Sequence, residues 1–177
     1  MAGKSIGDSS SIAYSGDVTI KVMHGRHAVR EMRGHNAGTA ELMYFIAHCL
    51  GGSFDAGGAP KYIRLFCMED GVTDESGLTS SNECTVRAVV SNFYPSYSKG
   101  QAESEASSVT LTFLIPNTML KTDKTSFNAV AVYGANQAVS TDVRDCMAWL
   151  HIGNPVSLDK GESAMVMWKM TLSNSSN

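Results

Sequence analysis

Charged residues are scarce in this chain of 177 residues: Asp, Glu, Lys and Arg together make up 18%, against the roughly 25% usual for soluble domains. The 14 basic and 17 acidic residues give a net charge of -3 and are scattered along the sequence. Nucleic-acid-binding proteins usually carry a concentrated basic patch, so this distribution argues against nucleic acid as a main partner. Ser and Thr supply much of the polar surface instead, which is typical of β-rich proteins.

Long apolar runs are also missing. The strongest, residues 42–50, is interrupted by His48 and falls far short of the roughly 20 residues that cross a bilayer. The first 16 residues are polar and Ser-rich and lack the apolar centre of a secretory signal. We therefore expect no membrane partner, and assembly in a cytoplasm.

Motifs that carry catalytic chemistry are lacking as well. The sequence contains no Gly-rich phosphate loop ending in Lys-Ser/Thr and no Gly-x-Ser-x-Gly nucleophile elbow. The cysteines lie singly in apolar contexts, without the paired spacing of zinc or redox sites. We predict that all four are buried thiols: Cys49, Cys67, Cys84 and Cys146. These observations predict neither a cofactor nor a metal, and favour a protein that is not an enzyme.

Most of the chain alternates apolar and polar residues with a period of two, which indicates half-buried strands. The clearest runs are residues 62–68, 84–90, 109–115, 127–133, 146–152 and 164–172. Gly25 and Gly161 lie where tight hairpin turns need a positive φ. About eight short strands predict a mainly β fold, an antiparallel β-sandwich of jelly-roll type.

One segment has helical periodicity. Its apolar residues recur at i, i+3, i+4, i+7 and i+8, which predicts a short α-helix over residues 39–50, capped by Thr39 or Asn36. The apolar positions are Leu42, Phe45, Ile46, Cys49 and Leu50. Composition divides the chain into a flexible N-terminal arm (residues 1–16), a sandwich domain (17–172) and a polar tail (173–177).

Aromatic residues supply the candidate interface. Tyr94 and Tyr97 lie in an apparently exposed loop, and Trp149 alternates with His151 on one strand face. Aromatics beside small polar residues are common at contact surfaces, and Trp149 with the tyrosine loop could also stack on a sugar ring.

Histidines offer a second reading. His24 and His27, with Asp17, could surround a metal ion, although exposed turn histidines are the simpler interpretation. His35 and His48 flank the predicted helix, where we expect them to cap its ends.

The chain has a distinctive order of short motifs. They are an Asn-Ala-Gly-Thr turn that opens a helix (36–50), a Pro-x-Tyr-Ile strand (60–66), a Thr- and Ser-rich loop (72–82), a strand ending in Ile-Pro-Asn (111–117) and a Val-x-Trp-x-Met-x-Leu terminus (154–172). This order of elements resembles that of small accessory structural proteins of tailed bacteriophages, which implies synthesis in a host cytoplasm. Such proteins serve as fibre, baseplate, neck, collar or capsid-decorating components, and the resemblance implies no active-site residues.

We therefore expect a virion structural protein that associates with copies of itself and with other virion proteins, its arm reaching to a neighbour. Two alternatives stay open at this stage. One is a carbohydrate-binding module that uses Trp149 and the tyrosine loop. The other is a metal-dependent hydrolase that uses Asp17, His24 and His27.

Overall fold

The computed structural model describes residues 11–36, 38–50, 59–72, 74–91, 95–100, 106–134 and 146–175. Within these residues the chain forms nine strands and one α-helix. In chain order the elements are β1 (Ser11–His24), β2 (His27–Asn36), α1 (Ala40–Leu50), β3 (Pro60–Phe66), β4 (Val89–Val90), β5 (Ser96–Ser98), β6 (Ser107–Pro116), β7 (Ser126–Gly134), β8 (Ala148–Ser157) and β9 (Glu162–Ser175).

The strands form two antiparallel sheets that pack face to face. One sheet has five strands in the order β2-β1-β9-β6-β5, and the other has four in the order β4-β3-β7-β8. Apolar side chains from both sheets form one buried cluster between them. This arrangement confirms the predicted β-sandwich and the single helix. The ninth strand is β5, whose three residues are too few to show a period.

Burial follows the period-two pattern where a strand has one apolar side. In β6, Leu111, Phe113 and Ile115 are buried while the intervening residues are half-exposed. In β7 every residue from Phe127 to Gly134 is buried, because β7 lies between β3 and β8 and has apolar contacts on both faces. The continuous apolar run of β7 therefore reflects its central position.

The first hairpin is confirmed, but it is longer than expected. Gly25 has a φ of 61° in the turn between β1 and β2. β1 begins at Ser11 and pairs with β9 along its whole length, so residues 11–16, assigned by composition to an arm, belong to the sheet. Backbone hydrogen bonds to β9 and the packing of Tyr14 against the core order this segment. Residues 173–175, assigned to a tail, belong to β9 for the same reason. Residues 1–10 lie outside the described part of the chain.

The predicted hairpin at the end of the chain is wrong in one respect. Gly161 has the expected left-handed conformation, with a φ of 86°, but the strands on either side belong to different sheets. β8 pairs with β7, whereas β9 pairs with β1 and β6. Two strands that face each other across a core alternate in the same way as two strands that pair, so the period alone could not separate these arrangements.

The strand predicted over residues 84–90 is shorter in the structure than in the prediction, because only Val89–Val90 forms a strand. The Cys84 N–H donates to the carbonyl of Leu65 at 2.7 Å, and the Val86 N–H donates to the carbonyl of Met119 at 2.9 Å. The backbone thus changes partner within two residues, which interrupts the ladder.

A second apolar cluster covers the outer face of the four-stranded sheet. Beside it, Arg64 lies 3.6 Å from the carboxylate of Glu83 and 5.1 Å from the centre of the Tyr133 ring. The hydroxyl of Thr85 donates to the Glu83 carboxylate at 3.0 Å. Burial raises the pKa of Tyr133 well above its usual value. The ion pair therefore lies in a largely dehydrated environment, where loss of one partner is costly.

We expect the substitution Glu83→Gln to lower the free energy of unfolding by about 3 kcal/mol, because it removes the carboxylate charge beside the buried Arg64 guanidinium. Urea unfolding followed by circular dichroism measures the change. The matched control is Glu31→Gln, which removes ion pairs with Lys21 and Arg33 at the surface. Water screens these exposed pairs, so little change is expected. Equal stability of the two variants would contradict a buried role for Glu83.

Candidate functional site: a groove between the helix and the five-stranded sheet

A groove of about 900 Å³ separates α1 from the end of the five-stranded sheet. One wall is the apolar face of the helix, and the other is formed by β5, β6 and β9. Its volume lies within the range of ligand and contact sites. The residues that form its walls are Tyr14, Leu42, Phe45, Ile46, Cys49, Ala59, Pro60, Lys61, Ser91, Pro95, Tyr97, Ser98, Lys99, Ser107, Ser108, Val109, Leu111, Met170 and Leu172.

The sheet wall of the groove continues the apolar surface of the core. It lies beyond the part of that surface that is fully covered. Along the inner face of β9, Trp168 is 0% exposed, Met170 is 5% exposed and Leu172 is 36% exposed. The apolar alternation is unbroken over these positions, but the burial decreases towards the groove. The inner face of this sheet therefore presents apolar side chains that nothing in the described part of the chain fully covers.

The helix is anchored at its N-terminal end. The Thr39 N–H donates to the carbonyl of Met147 at 3.1 Å, and its hydroxyl lies 2.6 Å from the carbonyl of Cys146. The same hydroxyl accepts a long hydrogen bond from the Leu42 N–H at 3.5 Å, and Gly38 forms a bridge with Ala148. These contacts confirm Thr39 as the N-cap and fix the first turn of α1 beside the start of β8.

Beyond this first turn the helix faces the groove. Leu42 is buried, whereas Phe45, Ile46 and Cys49 are only half-buried. The apolar stripe that the sequence predicted is therefore present, but most of it lines an open groove instead of joining the core.

The charges of the groove have one sign. Among the wall residues that the structure describes, the charged ones are Lys61 and Lys99, and both are exposed. Tyr97, the most exposed of the large apolar side chains described at 79%, lies beside Lys99 at the rim. An occupant with an apolar surface and a carboxylate would match this lining.

Tyr14 closes one end of the groove, and its hydroxyl is buried. Burial raises the pKa of Tyr14, while the neighbouring side chains of Asn36 and Trp168 oppose that rise. A Cβ on Gly16 would overlap Oδ1 of Asn36 and lie 2.8 Å from the Tyr14 hydroxyl. The glycine thus provides the space for this polar group of side chains.

The structure does not bring the predicted interface residues together. Tyr97 lies on β5 at the groove. Trp149 and His151 lie on β8 in the other sheet, where Trp149 packs half-buried against the outer cluster. Tyr94 lies outside the described residues. Trp149 and Tyr97 therefore do not form one sugar-stacking platform.

The proposed metal ligands are also separated. Asp17 and His24 are seven positions apart on β1, a distance of about 23 Å along an extended strand. Asp17 contacts His35 of β2 instead, with 2.5 Å between its carboxylate and Nδ1. Within the described residues, no group of three or more His, Cys, Asp or Glu side chains could hold a metal ion.

The two histidines expected to cap the helix behave differently. His35 lies in β2, paired with Asp17, and does not cap α1. His48 lies in the last turn of α1, where its ring is 4.3 Å from that of Tyr44. The stacking covers part of the outer surface of the helix.

Sequence reasoning did not identify the groove. The signal that could have revealed it is the run Leu42–Met43–Tyr44–Phe45–Ile46, which places apolar residues on both faces of a helix. Met43 is 45% exposed and Tyr44 is 63% exposed. Both lie on the side of the helix that faces away from the groove.

No family model, curated protein or solved structure matches this chain. In the part of the chain that the structure describes, α1 is too short to span a bilayer. The groove and the helix are therefore interpreted from their own chemistry.

The cysteines provide a test of this site. All four are free, with Cys84 and Cys146 buried and Cys49 and Cys67 half-buried. Burial raises the pKa of Cys84 to about 12, so about one thiol in ten thousand is ionised at pH 8. We expect iodoacetamide to modify Cys49 in the groove and to leave Cys84 unmodified in the folded chain, as mapped by peptide mass spectrometry. Unfolding in urea should make both react. Modification of Cys84 at the rate of Cys49 in the native chain would contradict the described burial.

Proposed function

We propose that this chain is a non-enzymatic structural subunit of a tailed-bacteriophage virion, which self-associates or docks on the capsid, neck or tail. The observation that carries the proposal is the exposure of apolar residues on both sides of α1 and along the groove beside it. A helix with apolar residues on both faces is normally buried. Among the residues of α1 whose burial the structure describes, Leu42 alone is buried, so a neighbouring subunit is the expected cover.

The scarcity of charge supports the same reading. Burying a charged side chain at an interface carries a large desolvation cost unless it is paired. The exposed face of α1 and the walls of the groove contain few such groups, with Lys61 and Lys99 at the rim. This surface can therefore be dehydrated by a neighbour at low cost, as expected of an interface core.

The edges of the five-stranded sheet make strand-to-strand association through this sheet unfavourable. β2 is one edge strand, and it carries Arg30, Glu31 and Arg33. Glu31 contacts both Arg33 and Lys21 at the surface. Charged edge strands resist pairing with other sheets. The opposite edge, β5, is only three residues long. The helix and the groove are therefore favoured over the edges of this sheet as the surface for association.

The proposal predicts that the chain is a stoichiometric component of virions. Particles of the encoding phage, purified on a density gradient, should contain the chain at a fixed ratio to the major capsid protein, as measured by quantitative mass spectrometry. Immunogold labelling should place it at one site: head, neck or tail.

The control is an unrelated phage grown in a host that expresses the chain from a plasmid; those particles should lack it, which separates assembly from adhesion. Absence of the chain from gradient-purified particles of its own phage would overturn the proposal.

A further inference from the structure

The helix α1 has a second apolar face, which lies on the side away from the groove. At 100° per residue, Leu42, Phe45, Ile46 and Cys49 point to the groove. The opposite face is formed by Ala40, Met43, Tyr44 and Ala47, all of which are exposed, with His48 at its edge beside the Tyr44 ring. No carboxylate, Lys or Arg lies within this outer face. Its two alanines leave room for close approach by another surface.

The groove is comparable in size to a short helix. An 11-residue helix is about 16 Å long and about 10 Å across, which corresponds to a cylinder of roughly 1,300 Å³. The groove, at about 900 Å³ and open to solvent, is of the same order.

The charges of helix and groove are complementary. The single carboxylate of α1 is Glu41, which lies at the flank of the outer face and is exposed. The charged residues of the groove wall are Lys61 and Lys99. A helix from a second copy would therefore bring a negative charge to the positive rim while its apolar face meets apolar walls.

We propose that the groove binds α1 of a second copy of this chain, with the face formed by Ala40, Met43, Tyr44 and Ala47 against the sheet wall. A two-fold axis lets each helix fill the groove of the other copy. The two helices then lie side by side between the two sheets, and both apolar faces of each helix are covered. This inference rests on the proposed function, specifically on self-association, and identifies the surface through which two copies associate.

The decisive variant is Ala47→Glu. Ala47 is exposed in the single chain and glutamate favours helices, so the fold should persist. In the complex the new carboxylate would be buried against apolar side chains, and we expect the dissociation constant of the dimer to rise at least about 30-fold. Analytical ultracentrifugation over a concentration series measures it, and circular dichroism verifies the fold.

The matched control is Ala28→Glu. Ala28 is an exposed alanine on β2 that pairs with Met23, nine residues along β1 from Tyr14 and so about 30 Å from that end of the groove. This substitution adds the same charge and should leave the dissociation constant unchanged. A comparable loss of dimer in both variants would overturn the inference, because it would show an effect of net charge.

A charge exchange tests the same contact without relying on the Ala47→Glu variant to fold. Glu41→Lys should weaken the dimer about tenfold, and the triple variant Glu41→Lys, Lys61→Glu, Lys99→Glu should restore it. In parallel, modification of Cys49, which lines the groove, should slow as the chain concentration rises. Failure of the triple variant to restore association would overturn the predicted contact.

The outcomes separate this inference from the proposed function. A dimer that Ala47→Glu and Glu41→Lys leave intact would overturn the groove as its contact, while a subunit role in the virion would stand. A chain that stays monomeric at all concentrations but is found in particles, or whose groove binds an acyl chain instead, would overturn the self-docking inference alone. A monomer that is also absent from particles would overturn both.

Discussion

The pairing of the first strand with the last is the interaction on which the rest of this structure depends. β1 and β9 share a register of fourteen residues, from Ser11 opposite Ser175 to His24 opposite Glu162. β9 also pairs with β6 on its other side, which makes it the centre of the five-stranded sheet. Trp168, in the middle of β9, is fully buried between these neighbours. This contact joins the two ends of the chain, so the sheet forms only when distant segments meet, at a substantial cost in loop-closure entropy.

The same pairing produces the groove. Because β9 continues past Trp168 to Leu172 with its apolar alternation intact, the inner face of the sheet extends beyond the cover that the four-stranded sheet provides. α1 is tied beside this overhang through Thr39 at its first turn, and its later turns stand apart from the sheet. An apolar sheet surface and an apolar helix surface are thus held at a fixed separation. Such an arrangement differs from an incompletely packed core, since the spacing is set by backbone hydrogen bonds at the helix N-terminus and along β9.

Sequence periodicity predicted most of the elements because each depends on local chemistry. The period of two located β3, β6, β7 and β9, the period of 3.6 located α1, and Gly25 marked its turn. What periodicity could not provide was the identity of partners. The turn at Gly161 joins two sheets, and residues 11–16 pair with a strand more than 150 positions away. The candidate site was missed for the same reason. Its walls come from segments far apart in sequence, and only the apolar run at residues 42–46 carried a local sign of it.

The distribution of charge disfavours uncontrolled strand pairing and favours association through the helix. A β-sandwich has open edges, and exposed edges template uncontrolled pairing. Here β2 carries a charged network around Glu31, and β5 is too short to template a long strand. Much of the exposed apolar surface lies instead on α1 and at the groove, at Met43, Tyr44, Tyr97 and Leu172. The backbone hydrogen bonds of α1 are formed within the helix and cannot propagate a sheet. Association through such a helix stops once a complementary groove is filled. No unsatisfied backbone groups then remain to recruit another chain. A closed, symmetric contact is therefore the form of assembly that this division of charge and apolar surface favours.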